Sequence, residues 1–140
     1  MEPQQQITLS SEIDTIALGK ELAKQLHPGQ VFFLEGDLGA GKTTLARGIL
    51  RGLGYQGNVK SPTFTLVESY QFSSFSLYHI DLYRLENAAV ELETLGLYDY
   101  INNNSICLIE WAEKAKDYLP AADRIITLDI RNNIRKVTII

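Results

Sequence analysis

Cysteine is nearly absent from this chain of 140 residues: Cys107 stands alone, so no intrachain disulfide can form. A chain without cross-links suits a reducing compartment, and Cys107, set in the apolar run Ile106-Cys107-Leu108-Ile109, reads as a small core residue. No apolar stretch reaches the length of a membrane span, and the opening Met1-Glu2-Pro3-Gln4 lacks the basic-then-apolar pattern of a secretory leader. A soluble, cytoplasmic protein without membrane contact is the expectation. Basic residues are outnumbered, 13 Lys and Arg against 17 Asp and Glu, for a net charge of −4. That balance argues against a strongly cationic nucleic-acid surface, although a local patch is compatible with any net charge. Repeats, low-complexity tracts and linkers are missing too. With 45% hydrophobic residues the chain can bury one core, so residues 1–140 read as a single mixed α/β domain.

What is present centres on Val31-Phe32-Phe33-Leu34-Glu35 and the glycine-rich stretch after it. Four apolar residues, mostly β-branched or aromatic, read as a buried strand. Leu45, Ile49 and Leu53 then recur on one stripe, so residues 43–52 read as a helix. Between them, Gly36, Asp37, Leu38, Gly39, Ala40, Gly41, Lys42 and Thr43 fit G-x-x-x-x-G-K-[ST] at every fixed position, with Thr44 following. Glycines let successive backbone N–H groups curl into one concavity, and the helix behind adds its positive end, so a phosphate chain can be held there. Lys42 supplies a mobile charge for the β- and γ-phosphates, and the Thr43 hydroxyl can ligate Mg²⁺. The flanking strand and helix supply the context the motif requires. A nucleoside triphosphate site is expected.

Elsewhere the pattern predicts short strands at residues 6–9, 63–70, 77–82, 106–109, 124–131 and 134–140, and helices at 12–26, 87–95 and 112–118. Ser10 or Ser11 suits the N-cap of the first helix, whose apolar positions are Ile13, Ile16, Ala17, Leu22, Ala23 and Leu26. The short link at residues 72–75 implies an antiparallel pair, and Asn132-Asn133 suits a tight hairpin turn.

Functional groups of open α/β sheets gather beyond the carboxyl ends of strands. Glu110 follows an apolar strand, the Walker B arrangement, and fits a role toward Mg²⁺ either directly or through water; the plainer alternative is a surface acid that begins a loop. Asp81 can position water, hold Mg²⁺ through water, or cap the next helix. Ser61-Pro62-Thr63 lies about where a phosphate-sensing switch segment would, and equally reads as the start of a strand. Trp111 fits packing over a nucleotide or a partner, or packing in the core. His79 shares a strand face with Asp81 and reads first as a hydrogen-bonded core histidine. Arg84 is near enough in sequence to reach phosphate, but surface arginines are common. No Asn-Lys-x-Asp segment occurs, which favours ATP over GTP, and no arginine finger or arginine-rich lid is visible. Slow intrinsic hydrolysis follows, because developing charge would lack part of its compensation.

Four ordered segments, residues 36–44, 61–67, 79–84 and 108–111, together resemble the bacterial TsaE (formerly YjeE) family, the small ATPases of tRNA threonylcarbamoyladenosine biosynthesis. The resemblance runs from about residue 9 to residue 120, with Ala112 standing where proline is expected of many relatives. It implies a P-loop fold whose parallel central strands are flanked by antiparallel ones, with helices on both faces. It implies Mg²⁺–ATP held by residues 39–44, metal contacts from Thr43 and Glu110, and a part for Lys42, Asp81 and Glu110 in hydrolysis. It implies the TsaD and TsaB proteins as partners, with tRNA reached indirectly through that complex. Adenine-side contacts are expected from the start of the first helix, with Glu12 the choice. Two other functions compete: a nucleotide-gated binding module in which hydrolysis is incidental, and a small-metabolite kinase, which the missing lid disfavours.

Overall fold

A computed structural model describes residues 4–37 and 39–140. Its centre is four parallel strands, in the order β6 (Arg124–Arg131), β2 (Val31–Glu35), β5 (Ser105–Glu110) and β4 (Ser76–Asp81). β5 is buried at all six positions, which is why its residues 106–109 are an uninterrupted apolar run rather than an alternation. Antiparallel strands extend both sides: β3 (Val67–Gln71) on β4, and β7 (Ile134–Ile139) then β1 (Gln5–Leu9) on β6. The expected parallel centre with antiparallel flanks is the observed sheet.

Strand periodicity divides the apolar residues between two cores. Phe32, Leu34, Leu77, Leu108 and Leu128 bury one face with Leu45 and Ile49 of α2 (Lys42–Gly52) and Leu22 of α1 (Glu12–Ala23). Val31, Ile80, Cys107 and Ile109 bury the other with Leu92 of α3 (Ala88–Leu95), Leu97 of α4 (Leu97–Tyr100) and Ala112 of a 3₁₀ segment, Ala112–Tyr118. Cys107 is enclosed there, and burial pushes its thiol up to about 11. Among the described residues, no helix is long and apolar enough to cross a membrane.

Local signals set the boundaries. Ser11 caps α1 by accepting from the Asp14 N–H at 3.1 Å, and Asn87 caps α3 through the Val90 N–H at 3.3 Å. Asn132 and Asn133 take φ of 52° and 65°, as a two-residue hairpin turn requires. Two expectations need correction. Residues 63–66 are a turn, because the Leu66 N–H bonds back to the Pro62 carbonyl at 2.9 Å and Leu66 has φ of 69°; β3 starts only at Val67. α1 stops at Ala23, and the N–H groups of Gln25 and Leu26 bond three residues back in a tighter turn.

The buried stripe of α1 also differs from the apolar one. Ile13 is 78% exposed, whereas Thr15, Gly19, Leu22 and Ala23 are buried. The reason is a crossing of α1 on α2 through glycine: a Cβ on Gly48 would stand 2.5 Å from the Ile16 carbonyl oxygen, and one on Gly19 2.7 Å from the Gly48 backbone. Backbone cannot yield cheaply. Gly48→Ala is therefore expected to destabilise the chain by about 1–3 kcal/mol through overpacking, even though alanine favours a helix interior by about 1 kcal/mol. Urea denaturation measures it, and a stabilised variant would show that the helices separate freely.

Candidate functional site

β2, β4 and β5 are parallel, so their carboxyl ends open on one side of the sheet, and the segments that follow them meet there. A cleft of about 320 Å³ at this edge is lined by Gly39, Gly41, Lys42, Thr43 and Thr44 after β2, and by Ser61 and Thr63 of the segment before β3. Asp81 at the end of β4, Glu110 at the end of β5, and Arg135 of β7 complete it. The sequence expectations thus converge on one place. Asp37 and Ala40 instead line a second cavity of about 300 Å³ with Leu128, Asp129 and Ile130, and Leu38 lies outside the described residues. Glu12 is not among the cleft residues; its carboxylate pairs with Arg47 at 2.7 Å.

Glycine shapes the loop for two separate reasons. At Gly36 a Cβ would meet the Leu128 carbonyl oxygen at 2.5 Å, so β6 passes too close for any side chain. Gly41 has φ of 104° and begins α2 without a side-chain cap, which leaves the helix N-terminus open to an anion in the cleft.

The charged groups behind this cradle are nearly sealed from water. Lys42 donates to the Gly36 carbonyl at 2.6 Å, lies 3.8 Å from Glu110 Oε1, and sits 4.3 Å above the Trp111 ring. Trp111 holds φ of 57° and packs on Tyr83 with ring centroids 4.9 Å apart, so it borders the site as well as the core. His79, wholly buried, bonds through Nε2 to Glu110 Oε2 at 2.5 Å. Burial pushes the Asp81 carboxyl above its ordinary range. The Tyr83 N–H, which donates to Asp81 Oδ1 at 2.9 Å, pulls it back, and the Glu110 charge pushes it up again.

Ser61 and Thr63 share a hydroxyl hydrogen bond of 2.8 Å at the cleft wall. Arg84 is not among the cleft-lining residues. Its Nε donates to the Thr63 carbonyl at 3.2 Å and its guanidinium lies 4.4 Å from the Phe64 ring centroid, so it tethers the turn. Arg135 is the residue that sequence reasoning missed. Its buried Nε has no hydrogen-bond partner among the described residues and lies beside Gly41, in a strand that pairs with both β1 and β6. The signal was the hairpin register: with the turn at Asn132-Asn133, Arg135 falls opposite Ile130, on the same face as Leu128.

Chemically, the cleft offers a backbone cradle and two cations for an anion. It also offers an all-oxygen set, the Thr43 hydroxyl with the Asp81 and Glu110 carboxylates, that suits a hard divalent cation. Among the described residues no cluster of three or more His, Cys, Asp or Glu could hold a metal. An ion such as Mg²⁺ takes only one or two carboxylates and completes its shell from phosphates and water.

Comparison with known proteins bears on family and fold. A family model described as "Threonylcarbamoyl adenosine biosynthesis protein TsaE" matches residues 9–138. The tRNA threonylcarbamoyladenosine biosynthesis protein TsaE of Haemophilus influenzae is 47% identical over 137 residues, covering 94% of this chain and 86% of that one. The protein of the same name in Rickettsia conorii is 42% identical over 131 residues, covering 93% and 74%. The crystal structure of Bacillus subtilis YdiB matches with a TM-score of 0.82 at 34% identity, covering 99% of this chain and 86% of that one.

Proposed function

The chain belongs to the TsaE family, and from that premise we propose that it is an Mg²⁺-dependent ATPase, slow alone, that supports threonylcarbamoylation of adenosine 37 in tRNA by acting on the TsaD and TsaB proteins. The observation that carries the reading is the cleft itself: an uncapped helix N-terminus, a buried lysine and two buried carboxylates facing one another. ATP would lie along residues 39–44, its β- and γ-phosphates drawing Lys42 away from the Gly36 carbonyl. Thr43 and Glu110 are the residues that would hold Mg²⁺, which when bound supplies charge neutralisation at the phosphates. Asp81 faces the same space and orients the attacking water, so that ATP and water give ADP and phosphate. Arg135 adds positive charge beside Gly41. The work takes place in the cytoplasm, and tRNA is reached through the partners rather than by this acidic chain.

A second reading has its own support. The turn at residues 62–66 reaches the cleft through Thr63 while Phe64 stays 80% exposed, an arrangement by which bound nucleotide could present a surface to a partner. Measuring ATP hydrolysis by the purified chain, then with TsaD, TsaB and tRNA added, separates the two. A low basal rate that rises in the complex supports the ATPase reading. A non-hydrolysable analogue that sustains repeated rounds of modification would sink it and leave the nucleotide-gated module.

A further inference from the structure

We propose that His79 is a positioning residue for Glu110: its ring N–H holds one carboxylate oxygen so that the other stays open to a cation in the cleft. The inference rests on the metal role given to Glu110 above.

Position explains why the histidine can do this. In the parallel register of β4 and β5, Asp81 lies opposite Glu110 and His79 opposite Leu108, one step deeper into the sheet. The two-residue period turns His79 and Asp81 to the same face, so the imidazole sits beneath the carboxylate pair. A carboxylate only accepts, so Nε2 carries the proton of the bond to Glu110 Oε2.

The bond divides the two oxygens of Glu110. Oε2 is committed to His79. Oε1 is 3.8 Å from the Lys42 ammonium, beyond hydrogen-bond length, while Lys42 donates to the Gly36 carbonyl at 2.6 Å. Oε1 therefore remains near a cation yet free of a hydrogen bond from it. Without the imidazole, Glu110 could rotate about its side-chain bonds and turn both oxygens toward Lys42, leaving none directed to the metal.

Packing alone does not account for the residue. His79 is wholly buried, and its other ring nitrogen, Nδ1, has no partner among the described residues. A leucine would fill the same space without an unsatisfied polar atom. What the imidazole offers and leucine does not is the N–H to Glu110. Ring partners of this kind behind a metal-ligating group typically alter metal affinity by about 10–100-fold when removed.

The test is the gain in affinity for a non-hydrolysable ATP analogue on adding Mg²⁺, measured by calorimetry against the value in EDTA. His79→Leu is expected to shrink that gain by about 10–100-fold, a larger change than the one that Glu110 closing on Lys42 makes in the metal-free affinity. His79→Gln, whose amide keeps a donor at similar reach, is expected to restore most of it. A normal Mg²⁺ gain in His79→Leu, parallel loss with and without metal, or a glutamine variant as poor as leucine would each overturn the proposal. If His79→Leu does not fold, His79→Asn replaces it: the amide is polar but too short to reach Glu110, so asparagine and glutamine must differ. Glu110→Gln is measured alongside. If it retains the full Mg²⁺ gain, the metal reading of Glu110 fails; if it loses the gain and His79→Leu does not, only the positioning role fails.

Discussion

Lys42→Met is expected to weaken ATP binding by about two orders of magnitude, the loss of hydrogen bonds from a charged donor to phosphate. Methionine is the sharper replacement because it keeps the buried stem and removes only the ammonium. In the free protein that ammonium is held by the Gly36 carbonyl, the Trp111 face and, more loosely, Glu110. Its removal takes the nearby positive charge from buried Glu110, so some stability is lost as well. Calorimetric titration of ATP beside a thermal melt separates the two effects. Lys42→Arg provides a second variant, since its planar fork does not fit a space shaped for a point charge between Gly36 and Trp111. Unchanged affinity in Lys42→Met would mean that the loop holds phosphate through backbone alone, or does not hold it.

Why Lys42, Thr43, Asp81 and Glu110 were readable while Arg135 was not follows from how each reaches the cleft. The glycine loop is contiguous in sequence, and its geometry is dictated by backbone sterics that only particular residues satisfy. Asp81 and Glu110 needed one further rule, that parallel strands end on the same side, and their apolar strands announced themselves. Arg135 depends on a chain of non-local facts: the turn at Asn132-Asn133, the pairing of β7 with β6, and the passage of β6 within contact of Gly36. Each link is ordinary, but an arginine in a hairpin carries no local mark of it. Arg84 reads as a common surface arginine, and it is not among the cleft-lining residues. It stands beside the site in sequence, yet a turn that β-forming residues 63–65 did not foretell gave its guanidinium the Thr63 carbonyl and the Phe64 ring. The turn itself is set by the Pro62 carbonyl and the left-handed Leu66, local geometry that overrode β propensity. α1 shows the same priority of contact over composition: glycine-on-glycine approach at residues 19 and 48 rotated the helix so that Ile13 faces water.

Asp81→Asn is expected to lower the rate of ATP hydrolysis by about 100-fold or more, the usual contribution of a positioned carboxylate to proton movement, with ATP affinity nearly unchanged. Asparagine keeps an oxygen to accept the Tyr83 N–H, so the local turn survives. The same substitution is expected to raise thermal stability in the absence of nucleotide at neutral pH. Burial pushes the Asp81 carboxyl above its ordinary range, so the folded chain binds that proton more tightly than the unfolded one. The resulting stabilisation is fully present at pH below the ordinary carboxylate value of about 4 and is lost as pH rises through the folded value. At neutral pH a charged Asp81 is therefore a penalty, which Glu110 deepens and asparagine removes. Melting the two proteins across a pH series tests the sign: the advantage of asparagine should be largest near neutrality and vanish in acid. Equal losses of affinity and rate would assign Asp81 to metal binding or folding instead. A variant that is both slower and more stable is what a charge kept for chemistry predicts, because a carboxylate placed to serve the reaction is one the fold would rather not bury.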